Sequence, residues 1–325
     1  MPRCLFCRRE FAELTDEHVF PAAIGGELVV KNATCAECNH GISKKYEQEI
    51  AGRLVHFRRI LDLKDRRGEV PKIEVTLNMD GQERRASLRG DGELVLRPRV
   101  TETVKEGVVE TVYENLPEAA KENLRKKAKK RGMELIEEPT PGGVVEASFS
   151  GNLDFLTSEG MLRYIAKVAY AAMALRMGIP VAQSDSFNEI REYINTGGGG
   201  TQVRLFVNEA FMTESAHGLH QHSVVLAGRN DKRRVDAVVR LFGGLSYMVT
   251  LSSRYEGADF FDTLVYDSQR GEINKALATH LQSEIVQIET LQADKDTIWD
   301  DQRKSGEWFV SFIQKEIERL ADSKA

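Results

Sequence analysis

The chain holds four cysteines, Cys4, Cys7, Cys35 and Cys38, all within its first 38 residues. Each C-x-x-C turn aims two thiolates at one point, and two such turns complete a tetrahedral zinc site. The spacing therefore predicts a structural Zn²⁺ held by all four. Disulfides fit less well. The N-terminus, MPRCLFCRRE, lacks the apolar run of a secretion signal, and 325 residues can bury a core without covalent staples. Free or redox thiols are the remaining reading. The 27 residues between the two pairs exceed what a compact zinc ribbon needs, so an element is inserted between them.

That insert contains Glu17-His18-Val19-Phe20-Pro21, then Ile24-Gly25-Gly26, then Asn32. Glu17-His18-Val19 reads as a strand end, Gly25-Gly26 as a turn, and Glu27 to Lys31 as a returning strand. After Cys38 come Asn39 and His40, at the start of a helix expected to run to about Ile60. A hairpin followed by a helix, framed by two knuckles, is a ββα-metal layout.

The run C-x-x-C, E-H-V-x-P, I-G-G, N and C-x-x-C-N resembles the HNH endonucleases over residues 1–60. The resemblance implies a role for each matching residue. His18 is the general base, and Asn32 pins the hairpin that carries it. Glu17 and Asn39 are ligands of a catalytic divalent metal, and the four cysteines hold the structural zinc. Many relatives carry His where this chain has Asn39; a neutral oxygen donor suits Mg²⁺ or Mn²⁺ better than Zn²⁺. His40 is the alternative third motif residue.

Phosphodiester hydrolysis requires these residue types. A histidine titrating near neutrality can take a proton from water, and a hard cation can stabilise the leaving oxygen. The implied partner is nucleic acid, double-stranded DNA before RNA. Lys44, Lys45, Arg53, Arg58 and Arg59 follow on the helix, either as phosphate contacts or as a solvated face. A zinc-knuckle protein that binds nucleic acid without cutting it is the rival reading. A third reading makes the C-terminal part a sensor that controls the nuclease in a defence system.

Composition sets the frame for these residues. With 41% hydrophobic and 29% charged residues, the chain reads as a globular, cytoplasmic protein, not a disordered or membrane one. Residues 1–131 carry a net charge of +4 and residues 132–325 one of −9, so a polyanion should meet the front. The expected fold class is α+β, with a nuclease module at 1–60, a hairpin-rich segment at 61–150 and a larger α+β domain at 151–325. Asp80-Gly81 and Asp91-Gly92 mark turns between alternating strands. A basic helix is expected over Pro117–Arg131, and a wide turn at Pro139–Gly143. Further helices are expected over Ser158–Met177, with one apolar face, and over Phe187–Ile194. Strands are expected at Val203–Val207, Ser223–Ala227, Ala237–Phe242 and Leu245–Leu251. His217, His220 and His222 with Glu214 have a metal-like spacing but read better as a loop entering a strand. The tail from Thr297 to Leu320 follows a helical pattern suited to core packing or to a homodimer surface.

Overall fold

The computed structural model describes residues 1–60, 63, 70–79, 82–88, 94–105, 108–114, 118–130, 154–198, 202–205, 218–275, 311 and 315. The expected turn at Pro139–Gly143, the tail helix save two residues, and Glu214 and His217 lie outside them. The chain divides into two compact units, residues 1–68 with 152–325, and residues 69–151.

The first sixty residues form a hairpin and a helix. Strands β1 (Thr15–His18) and β2 (Val29–Thr34) pair antiparallel. Helix α1 (Ala36–Ile42) continues through a π-helical turn (Ser43–Glu47) into α2 (Gln48–Arg53), and α3 (Val55–Ile60) follows. Cys35 caps α1: its sulfur accepts a hydrogen bond from the amide of Cys38 at 3.4 Å. The π-helical turn lies midway along the helix, a placement often found beside functional sites.

The 69–151 unit contains an antiparallel sheet of β3 (Ile73–Met79), β4 (Gln82–Leu88) and β5 (Leu94–Leu96). It also holds a hairpin of β6 (Arg99–Lys105) and β7 (Val108–Glu114), and helix α4 (Glu118–Lys130). Ile73, Val75 and Ala86 are buried on one sheet face by the period-two alternation.

The remainder is built on α5 (Glu159–Met177), α6 (Ile179–Ala182) and α7 (Asn188–Thr196). Ser158 caps α5 by accepting from the amide of Met161 at 3.3 Å, and Gly178, with φ of 90°, ends it. Strands β8 (Val203–Leu205), β9 (Gln221–Arg229), β10 (Arg234–Leu241), β11 (Leu245–Ser252), β12 (Phe260–Asp267) and β13 (Glu272–Ile273) make one sheet. Its order is β13-β12-β9-β10-β11-β8, with every pairing antiparallel. The α+β class holds, with a larger mixed domain after the N-terminal module.

Two expectations change in detail. Helix α5 is not one-faced, for every residue from Tyr164 to Ala174 is buried. A helix apolar all round belongs inside a core, and one core joins Cys4, Phe20, Ile24, Tyr46 and Phe57 to α5 and the six-stranded sheet. Strand β12 was not anticipated, although its Thr263–Tyr266 stretch is buried. Among the described residues, no helix is long and apolar enough to cross a membrane.

Candidate metal centre and hydrolytic site

The two knuckles converge. The sulfurs of Cys4, Cys7, Cys35 and Cys38 all lie within 4.8 Å of one another. Cys4 and Cys35 are buried, and Cys7 and Cys38 are half-buried. The amide of Cys35 donates to Cys4 Sγ at 3.4 Å, and Leu5 N–H to the Ala33 carbonyl at 2.7 Å, which locks the first knuckle onto β2. A hydrogen bond from the Cys38 thiol pulls the Cys4 pKa down to about 4 against the opposing effect of burial. Cys38 is pushed up in turn, chiefly by that same bond, and Cys35 is pushed up by burial. Without a cation the cluster supports few thiolates at once; four at this spacing need the charge that a zinc ion supplies. The donor set fits Zn²⁺.

The hairpin between the knuckles is irregular where the site needs it. Thr15 pairs with Thr34 but Glu17 with Val30, so β2 advances four residues while β1 advances two. The excess forms a bulge at Lys31–Ala33, with Lys31 and Asn32 exposed and Ala33 buried. Asn32 sits there with φ of 49°, a left-handed conformation that Asn tolerates better than most residues. Its amide donates to Asp16 Oδ1 at 3.0 Å, and Lys31 Nζ donates to Asp16 Oδ2 at 2.6 Å. These two bonds, that of Lys31 first, hold the Asp16 carboxyl below its usual range. The I-G-G run has a steric reason. Gly25 has φ of 82°, and a Cβ on Gly26 would stand 1.8 Å from the Phe20 carbonyl oxygen.

Alternation along β1 separates its residues. His18 and Asp16 are half-exposed, whereas Glu17 is 4% exposed and points inward. Glu17 meets Lys167 of α5. The ammonium forms an ion pair with Glu17 Oε1, lies 2.8 Å from Glu47 Oε1, and donates to the His18 carbonyl at 3.0 Å. Thr34 Oγ1 donates to Glu17 Oε2 at 2.8 Å. Burial alone would lower the Lys167 pKa; Glu17 and Glu47 more than reverse this and hold it above the ordinary lysine value. Asn39 is half-exposed at the start of α1, and its Nδ2 donates to Thr15 Oγ1 at 3.1 Å.

The structure thus brings His18, Asn32 and Asn39 onto one hairpin–helix unit, with Glu17 turned inward from the same strand. Both Glu17 oxygens are engaged, so Glu17 and Asn39 as placed do not form an open site for Mg²⁺ or Mn²⁺. His40 is exposed. Of the basic residues, Lys44 is exposed, Lys45 donates to the Asn195 carbonyl at 3.0 Å, Arg58 is half-buried and Arg59 is buried.

Sequence reasoning missed Lys167, Glu47 and Asp16. A signal existed for two of them. Lys167 is the one charge in the apolar run Tyr164–Leu175 of α5, and a buried charge requires partners. Asp16 shares the His18 face by simple alternation.

His222 is a core histidine. Phe242 N–H donates to its Nδ1 at 3.1 Å, so the ring proton sits on Nε2 and is donated to the Ile24 carbonyl at 3.0 Å. Burial drives its pKa down to about 4.

Residues 4–54 match the family model for HNH endonuclease. No curated protein and no solved structure matches the chain. The match supports nuclease chemistry acting on nucleic acid in general.

Proposed function

We propose that the first sixty residues hydrolyse phosphodiester bonds, in double-stranded DNA before RNA, with His18 as general base. The observation that carries this reading is the placement of His18. It stands half-exposed on a hairpin framed by four converging cysteines, inside the segment that matches the nuclease family. The neutral imidazole would withdraw a proton from a water that attacks phosphorus in line with the departing 3′-oxygen. Asn32 acts through its backbone: its left-handed turn creates the bulge, and its amide ties β2 to Asp16 beside His18. Zinc, held by Cys4, Cys7, Cys35 and Cys38, would do no chemistry; it would replace the core that so short a polar segment cannot build.

A plasmid-nicking assay with Mg²⁺ or Mn²⁺, run on DNA and on RNA, tests the reading. His18→Ala should lower cleavage by about 10²-fold or more while zinc content and nucleic-acid binding stay near wild type. A His18→Ala protein that cuts like wild type would overturn it. A wild-type protein that binds nucleic acid but never cuts would support the non-catalytic zinc-knuckle alternative.

A further inference from the structure

Lys167 is the feature that the hydrolytic reading leaves unused. It lies near the middle of α5, far along the chain from the hairpin, and its side chain is 3% exposed. Its ammonium has three donors. The three oxygens around it are the His18 carbonyl, Glu17 Oε1 and Glu47 Oε1. Two belong to adjacent residues of β1, and the third to the π-helical turn. Glu47 Oε1 is close enough to pair with Lys167 yet makes no hydrogen bond of good angle, so it depends on the ammonium for compensation.

We propose that Lys167 is a positioning residue of the nuclease centre, and that Glu17 is its fixed partner and not a ligand of the catalytic metal. The role rests on the endonuclease reading given above, but the pairing itself does not. The geometry carries the argument. Glu17 points in and His18 points out from consecutive positions of one strand, so whatever fixes Glu17 fixes the pitch of the imidazole. Lys167 grips the side chain of Glu17 and the carbonyl of His18 together. Its burial keeps it from substrate, so it cannot act on the reacting atoms. Glu17 Oε2 is held separately by Thr34. A cation seeking Glu17 would have to break that bond, displace the ammonium and leave it buried without its nearest partner. The nuclease centre is therefore completed by α5.

The test uses the full chain with Lys167→Met, Lys167→Arg and Glu17→Gln. Lys167→Met should keep about one zinc per chain. Its Val19 amide, bonded to the Leu28 carbonyl at 2.9 Å in the wild type, should exchange about tenfold faster while β10 amides do not change. Its kcat should fall about tenfold or more with KM within about twofold, and Lys167→Arg should recover part of the loss. Glu17→Gln should bind Mn²⁺, followed by electron paramagnetic resonance, within about twofold of wild type. Loss of Mn²⁺ binding in Glu17→Gln, or an unchanged Val19 exchange rate in Lys167→Met, would overturn the proposal. If Lys167→Met fails to fold, Lys167→Arg and Glu17→Gln decide. A wild type that cuts neither DNA nor RNA removes the nuclease reading but leaves the exchange and Mn²⁺ measurements to judge the pairing.

Discussion

Residues 1–60 and the described residues between 154 and 275 share one core but reach it differently. The later part is self-sufficient in kind: a helix buried on all sides lies against a six-stranded sheet, and Tyr164, Tyr170 and Tyr247 are packed fully inside. The first part has a two-stranded hairpin, short helices, a smaller set of buried side chains and four sulfurs. A two-stranded hairpin alone is marginal in water. It is held at three places: by the cysteines at its base, by Lys167 under β1, and by the sheet at its turn. At the turn Phe20 packs 5.3 Å from the His222 ring and 5.8 Å from that of Tyr266. Of these two parts, the site residues occupy the one with the smaller core of its own. Its geometry is imposed from outside.

The largest expected effect falls on that dependence. Cys35→Ser should abolish zinc binding, since all four sulfurs are needed for a closed tetrahedral site. Protection against amide exchange should then collapse across residues 1–60, while β9, β10 and β11 keep most of theirs. Native mass spectrometry should find about one zinc in wild type and none in the variant. If the sheet unfolds together with the hairpin, the two parts form a single cooperative block and do not differ in self-sufficiency. Intramolecular disulfides in the native protein would remove the zinc site itself.

A smaller effect tests the clamp at the turn. His222 is neutral and buried, with its pKa pushed down to about 4 from 6.5. A histidine whose folded pKa is depressed stabilises the fold above the unfolded value, and this contribution fades as pH falls. The window therefore runs from about 6.5 down to about 4, and the contribution is about 3 kcal/mol. His222→Gln should be less stable than wild type at pH 7, and the gap should narrow steadily on acidification, read from denaturant unfolding at each pH. Parallel curves would mean that His222 gains its proton as freely in the fold as outside it, so that the turn is not clamped by a neutral ring.

Legibility in the sequence followed the range of each interaction. The knuckles and the caps of α5 were readable because spacing and local chemistry define them within a few residues. The bounds of β10 and β11 were close for the same reason. The partner of Glu17 was not readable from the motif, because it lies 150 residues away and only the packing of α5 brings it there. The acid-before-histidine pattern suggests a ligand whatever stands behind the strand. Strand β12 escaped because its buried run, Thr263-Leu264-Val265-Tyr266, is short and begins with a hydroxyl residue. Arg59 looked like a surface cation and is buried; helix phase set by core contacts overrode its charge.

The smallest effect sharpens the contrast at one hydroxyl. Tyr266 accepts from Glu27 N–H at 3.0 Å and donates to the Gly25 carbonyl at 3.2 Å. It thereby closes the loop that joins β1 to β2, using backbone groups the hairpin cannot satisfy itself. Tyr266→Phe keeps the ring against Phe20 and removes only these two bonds. The loss should be about 1 kcal/mol, because an amide left without its partner regains some water at a half-exposed loop. Zinc content should not change, and cleavage should stay within about twofold of wild type, since Lys167 and not the loop fixes His18. A drop in cleavage as large as that of Lys167→Met would show that the loop also sets the histidine, and would move the control of the site from α5 to the sheet.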